Sequence, residues 1–189
     1  MDQGIIWGDV VGIRPLLPQD AGTVRRFALD TEVADLLFED AGGPIPSTMT
    51  LAAMIAVQWL NGRPDFAIVD RAKAMIGVVR LWRVSDRNKS AMLTIFIGGR
   101  GNWGRGFGTD ALRVLLRQAF GPMNLHRVEL NVFDFNERAI RSYEKVGFVR
   151  EGSRREALSR RGIFHDIVVM GILKPDFLAL EHARKSTLR

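Results

Sequence analysis

Ile95-Phe96-Ile97-Gly98-Gly99-Arg100-Gly101-Asn102-Trp103-Gly104-Arg105-Gly106-Phe107-Gly108-Thr109-Asp110-Ala111-Leu112 carries the densest information in the chain. An apolar, strand-like segment runs into a loop rich in glycine, and a helical pattern follows at once. The first N–H groups of a helix have no partner within it, and glycines let an anion approach them closely. The arrangement is therefore a phosphate cradle in outline. It lacks the Gly-x-Gly-x-x-Gly of a dinucleotide fingerprint and the Gly-Lys-Ser/Thr of a P-loop.

The helix that follows is amphipathic. Ala111, Leu112, Leu115, Leu116, Ala119 and Phe120 recur at helical spacing, while Arg113, Arg117 and Gln118 fall opposite. Gly121-Pro122 ends it. Arg127 to Val132 then alternates as a strand, with Val128, Leu130 and Val132 on one face. A second signature follows, Asn136-Glu-Arg138-Ala139-Ile140-Arg141-Ser-Tyr143-Glu-Lys-Val146-Gly147-Phe148. Asn136 is suited to cap this helix and Gly147 to end it. Asn136 and Tyr143 stand two turns apart, roughly 10.5 Å along one side.

These two segments resemble the acetyl-CoA-binding motifs of the GNAT N-acetyltransferase superfamily. The second motif, Asn-x-x-Ala-x-x-x-Tyr-x-x-x-Gly-Phe, is met by Asn136, Ala139, Tyr143, Gly147 and Phe148. The first, Gln/Arg-x-x-Gly-x-Gly/Ala, is met by Gly106 and Gly108, with Trp103 in the Gln/Arg place. The Trp-Gly-x-Gly-x-Gly-Thr form is similar to the RimJ/RimL-like branch, as is the closing run from Gly162 through His165 and Asp166 to Leu173. The resemblance implies acetyl-CoA as co-substrate and direct transfer of acetyl to a primary amine, either a protein N-terminal α-amine or a small molecule. It implies CoA contacts at Trp103, Gly104, Arg105, Gly106, Phe107, Gly108, Thr109, Asn136, Arg138 and Arg141. It also implies that the backbone of Ile95, Phe96 and Ile97 pairs with pantetheine and polarises the thioester carbonyl.

Composition sets the outer limits. With 189 residues and 47% hydrophobic content, the chain suits one domain, placed over residues 1–175, and the resemblance implies that it has the GNAT fold, α/β of the α+β type. Residues 176–189 read as a tail, either disordered or a short helix. No long apolar run or basic leader occurs, so a soluble, cytoplasmic protein without membrane attachment is the expectation. The absence of cysteine excludes a thiolate metal site and a cysteine acyl-enzyme. Three histidines without ligand-like spacing give no reason to expect a metal. The net charge of +6 raises nucleic acid as a partner, but Arg150, Arg154, Arg155, Arg160 and Arg161 lack an accompanying aromatic platform. A ribosome-associated transferase and a CoA-binding regulatory domain without activity are the alternative readings, and a homodimer is compatible with either. Arg100, Arg105, Arg138 and Arg141 instead suit attraction of the CoA phosphates.

The rest of the chain reads more coarsely. A strand over 10–16 precedes a helix from Asp20 to Phe38, a loop over 39–44, and a helix from Ser47 or Thr48 to Asn61-Gly62. Paired strands follow over 65–70 and 75–82, then another over 91–97. Segments 148–151 and 164–173 close the chain as an antiparallel pair. This order of elements predicts a mixed, mostly antiparallel sheet with helices on both faces.

Amine acetylation requires an amine without its extra proton, a polarised thioester and a protonated leaving thiolate. No Gly-x-Ser-x-Gly elbow offers a covalent route. The resemblance assigns the acid to Tyr143. RimJ/RimL-like chains often carry a Glu where this sequence has Met92, and a thioether accepts no proton. Glu39, Asp40, Glu129, Asp134 and His165 remain as candidate bases, and the acceptor-determining loops reduce to Leu36–Pro46.

Overall fold

The computed structural model of the chain describes residues 4–37, 44–62 and 65–187. Eight strands form one mixed sheet: β1 (Ile6–Trp7), β2 (Gly12–Pro15), β3 (Phe66–Val69), β4 (Met75–Ser85), β5 (Ser90–Ile97), β6 (Arg127–Phe133), β7 (Val149–Arg160) and β8 (Ile163–Leu173), in the order β1-β2-β3-β4-β5-β6-β8-β7. Among the described residues there are six α-helices: α1 (Ala21–Leu29), α2 (Thr31–Leu37), α3 (Thr48–Leu60), α4 (Phe107–Phe120), α5 (Glu137–Glu144) and α6 (Lys174–Thr187). The predicted α+β class is the observed one. The chain divides into two compact units, Met1–Arg80 with Thr94–Leu115 and Leu81–Leu93 with Leu116–Arg189.

In the first unit, β1, β2, β3 and the start of β4 run antiparallel in sequence order. Leu16, Ala21, Ile55, Ala67 and Val78 form a buried cluster, with Val24, Leu51, Ala52 and Phe96 packed against it. Ser47 caps α3 by accepting from the Thr50 N–H at 3.1 Å, in agreement with the sequence reading. The single helix expected from Asp20 to Phe38 is instead two. The chain turns extended at Asp30 (ψ 113°), whose carboxylate accepts from the Glu32 N–H and so starts a new helix. Phe38 and the loop read over 39–44 lie outside the described residues except for Pro44. Asp20 is buried; burial opposes its charge, but two bonds from Arg14 at 2.7 and 2.8 Å and one from the Leu17 N–H outweigh it. Its pKa therefore lies below the usual carboxylate range.

In the second unit, β5 and β6 are parallel, with Ser90, Ala91 and Met92 paired to Arg127, Val128 and Glu129. β8 lies antiparallel to β6 across its whole length and carries β7 on its other side. Val128, Leu130, Met170, Ile172, Ile140, Val146 and Phe148 are buried. The closing hairpin is longer than its apolar pattern suggested. Polar residues of β7 pair with β8 as far as Arg160, through bulges at Arg150/Gly152 and Arg154/Leu158. The tail is helical: in α6, Phe177 is buried and its ring lies 5.4 Å from that of Phe120. Gly147 ends the α5 segment with φ 107°, and a Cβ there would collide with Leu180 of α6.

Candidate active site

The loop after β5 is built by specific bonds, and they set where the glycines lie. The Trp103 indole N–H donates to the Ile97 carbonyl at 2.8 Å, and the Asn102 amide donates to the Gly98 carbonyl at 2.8 Å. Both clips fold the loop back onto the end of its own strand. Gly104 and Gly106 then adopt φ of 74° and 79°, a region that side chains with a Cβ rarely enter. A Cβ on either glycine would meet nothing within 4 Å. At Gly108 it would make ordinary contact with Ile97. α4 begins at Phe107, directly after the second left-handed glycine. Helix N–H groups at the start of α4, beside left-handed glycines with open space around them, suit a diphosphate. The residues present thus fit CoA.

The other predicted contacts of this unit have partners of their own. Arg105 lies over the Phe107 ring at 4.6 Å, and Arg100 is ion-paired to Glu32 at 3.0 Å. Thr109 is half-buried in the first turn of α4. Ile95 and Phe96 lie on β5, Phe96 with its ring 6.1 Å from that of Phe27. Sequence reasoning missed Asp110. It is 3% exposed, and its carboxylate accepts from the N–H groups of Asp9, Val10 and Val11 at 3.1, 2.8 and 3.0 Å. An acid in a first turn is visible in sequence, but a partner 100 positions away is not.

In the second unit, Asn136 caps α5, accepting from the Ala139 N–H at 3.3 Å. Tyr143 stands on the buried face of the same helix, 8% exposed, with its ring 5.8 Å from Phe148. Burial alone pushes its pKa above the ordinary phenol value. Arg138 and Arg141 are exposed, and Arg141 is paired with Glu137 at 2.9 Å.

The candidate bases separate. Glu39 and Asp40 lie outside the described residues. Glu129 stands beside Met92 in the parallel pair, and Arg127 holds it at 2.8 Å while also gripping Glu151. Asp134 lies with a carboxylate oxygen 3.2 Å from His165 Nδ1 and accepts from the Asp166 N–H at 3.1 Å. The Phe135 ring packs edge-on at 4.7 Å from His165. No group of three or more acidic or histidine side chains among the described residues is placed to hold a metal ion, and none of their helices is long and apolar enough to cross a membrane.

Comparison with known proteins gives this geometry its family. The family model described as "Acetyltransferase (GNAT) domain" matches residues 11–149. The chain belongs to the GNAT acetyltransferase family. It is an N-acetyltransferase with acetyl-CoA as co-substrate. It is 35% identical over 105 residues to the Bacillus subtilis protein named "Probable N-acetyltransferase YjcK", an alignment covering 54% of this chain and 56% of that one. It is 32% identical over 118 residues to a Vibrio cholerae spermidine N(1)-acetyltransferase, covering 62% of this chain and 68% of the relative. The crystal structure of spermidine N-acetyltransferase from Vibrio cholerae in complex with CoA and spermine superimposes with a TM-score of 0.80 at 26% identity. That match covers 89% of this GNAT chain and 98% of the other.

Proposed function

We propose that this GNAT enzyme acetylates a primary amine of a small aliphatic molecule of the polyamine type, by direct attack on acetyl-CoA. The observation that carries the cofactor half is the pair of open, left-handed glycines, Gly104 and Gly106, at the start of α4. Support for the acceptor comes from the likeness to spermidine acetyltransferases in sequence and in fold. The Trp103–Thr109 loop supports the RimJ/RimL-like branch.

Residue roles follow from the chemistry. N–H groups of residues 104–109 take the diphosphate, with Arg105 nearby as a counter-charge. Asn136 spends its side-chain oxygen on its own helix, which leaves its amide N–H2 for a pantetheine carbonyl. The backbone of Ile95–Ile97 aligns the pantetheine arm, and Trp103 holds the loop for it. Tyr143 donates to the developing thiolate as the C–S bond breaks, and burial keeps that phenol protonated. Met92 cannot accept a proton and Glu129 is held by Arg127, so neither serves as the base, and the species that attacks is the neutral amine already present in solution.

The test is amine-dependent CoA release. Spermidine, spermine and a short peptide with a free α-amine are compared as acceptors under saturating acetyl-CoA. Turnover on the polyamines well above that on the peptide is expected. The reverse order would assign the enzyme to protein N-termini.

A further inference from the structure

We propose that Arg160 and the aromatic cluster beneath it bind a small monocarboxylate, at a site in the second unit outside the residues assigned to acetyl transfer. Nε and Nη2 of Arg160 are buried and have no hydrogen-bond partner among the described residues. These two nitrogens form one edge of the guanidinium, the edge whose parallel N–H groups fit the two oxygens of a carboxylate. The guanidinium lies over the Phe133 ring, 5.7 Å from its centroid. Phe133 stacks on Phe135 at 5.4 Å, and Phe135 meets the His165 ring edge-on at 4.7 Å. The arginine cluster that has no aromatic platform in the sequence thus has one in the fold, under a single member.

The β7–β8 hairpin is built to hold Arg160 in this place. Arg161 and Gly162 have φ of 51° and 78°, as in a two-residue hairpin turn, which makes Arg160 and Ile163 the closing pair. Upstream, Arg154 faces Ile167 and Leu158 faces His165, so four steps of β7 match two of β8. Asp166 holds the surplus, its carboxylate accepting from the Glu156 N–H at 2.9 Å and the Ser153 hydroxyl at 2.8 Å. This bulge sets Leu158 and Arg160 on the face that carries Ile163, His165 and Ile167, with buried Phe133 opposite Ile167. Arg160 and His165 are diagonal neighbours there, roughly 7–8 Å apart. Both carboxylates of the cluster are committed elsewhere. Asp166 holds the bulge, while Asp134 meets His165 at 3.2 Å and the Asp166 N–H at 3.1 Å. A buried guanidinium edge left unpaired is costly, and no described acid relieves it.

The chemistry of the ligand follows from these neighbours. One guanidinium edge balances one negative charge, and the Asp134 carboxylate opposes the second charge of a phosphate. Ile163 is 61% exposed and Phe135 40%, so apolar surface borders the charge and suits an apolar body on the carboxylate. Arg160 is half-buried beside an exposed turn, so rotation of its side chain alone brings the edge to the oxyanion.

Benzoate is the probe, with benzamide as its neutral isostere and inorganic phosphate as the competing oxyanion, all under saturating CoA so that the cofactor site is filled. The Arg160 Nε–H signal in a nitrogen-15 spectrum, assigned by its loss in Arg160→Lys, should shift with benzoate and saturate. Benzoate should also raise Tm, as any ligand of the native state does. Benzamide and phosphate should bind about tenfold more weakly or worse. Arg160→Lys keeps the charge but not the fork, and should weaken benzoate by about tenfold or more. Should that variant fail to fold, the rise in Tm of the wild-type chain with benzoate against benzamide decides. Binding rather than turnover is read, so the result stands whichever amine is acetylated. No shift of the Arg160 signal, equal binding or equal rise in Tm with benzamide, phosphate bound as tightly as benzoate, or full affinity in folded Arg160→Lys would each overturn the proposal.

Discussion

Tyr143 is the sole tyrosine of the chain, so its ionisation can be followed by phenolate absorbance without interference from another. Burial disfavours the charged form and raises its pKa. In the unfolded chain the phenol should titrate near 10, and in the native protein only at higher pH. The corresponding stability is present below pH 10 and is lost as pH rises through the native pKa. Coincident native and unfolded titrations would show the phenol to be exposed. Tyr143→Phe keeps the ring against Phe148 and removes the proton; kcat should fall by about 10²–10⁴, with acetyl-CoA affinity and Tm nearly unchanged. A lower Tm with intact kcat would make the hydroxyl a packing group. Asp110→Ala strips three backbone donors of their acceptor and should cost about 1–3 kcal/mol or more in urea unfolding, with Asp110→Asn milder. Equal stability of all three proteins would contradict the reading of that carboxylate as a tie. Tyr143 and Asn136 were legible in the sequence because a local motif of fixed spacing names them. Asp110 was not, since nothing local reveals that its partners are the N–H groups of residues 9–11.

At the scale of elements, the glycine loop makes the sharpest prediction. Gly106 has φ 79°, which the proline ring cannot adopt, and it directly precedes α4. Gly106→Pro should weaken CoA binding at least tenfold, about 1.4 kcal/mol by calorimetry. Unchanged affinity in a folded variant would remove the loop from the cofactor site. α4, α5, β5 and β6 were readable because each buries one face, so apolar residues recur with a helix's or a strand's period. β7 was only partly readable. Nearly all of its residues from Val149 to Arg160 are exposed, so no alternation marks them, and pairing with β8 rather than its own pattern makes it a strand. The break at Asp30 was misread for a related reason: the residues on both sides suit a helix, and one side-chain bond decides where the second begins.

For the whole molecule, both sheet edges are guarded against open-ended pairing. β1 is two residues long, and β7 is bulged twice and studded with arginine. The proposed chemistry also sets a pH profile. An alkyl amine with pKa near 10.4 is almost wholly protonated at pH 7, so kcat/KM should climb about tenfold per pH unit through the neutral range. The acid Tyr143, held protonated by burial, imposes no falling limb there. A plateau near neutrality would instead assign the proton to a protein base, with His165 on Asp134 the first residue to substitute. The acceptor is tested most directly by mass spectrometry of the products formed from acetyl-CoA and an equimolar mixture of spermidine, spermine and a free-N-terminal peptide. Monoacetylated polyamine is expected, abolished or nearly so by Tyr143→Phe. Acetyl found only on the peptide α-amine, or CoA bound without amine-dependent turnover, would contradict it.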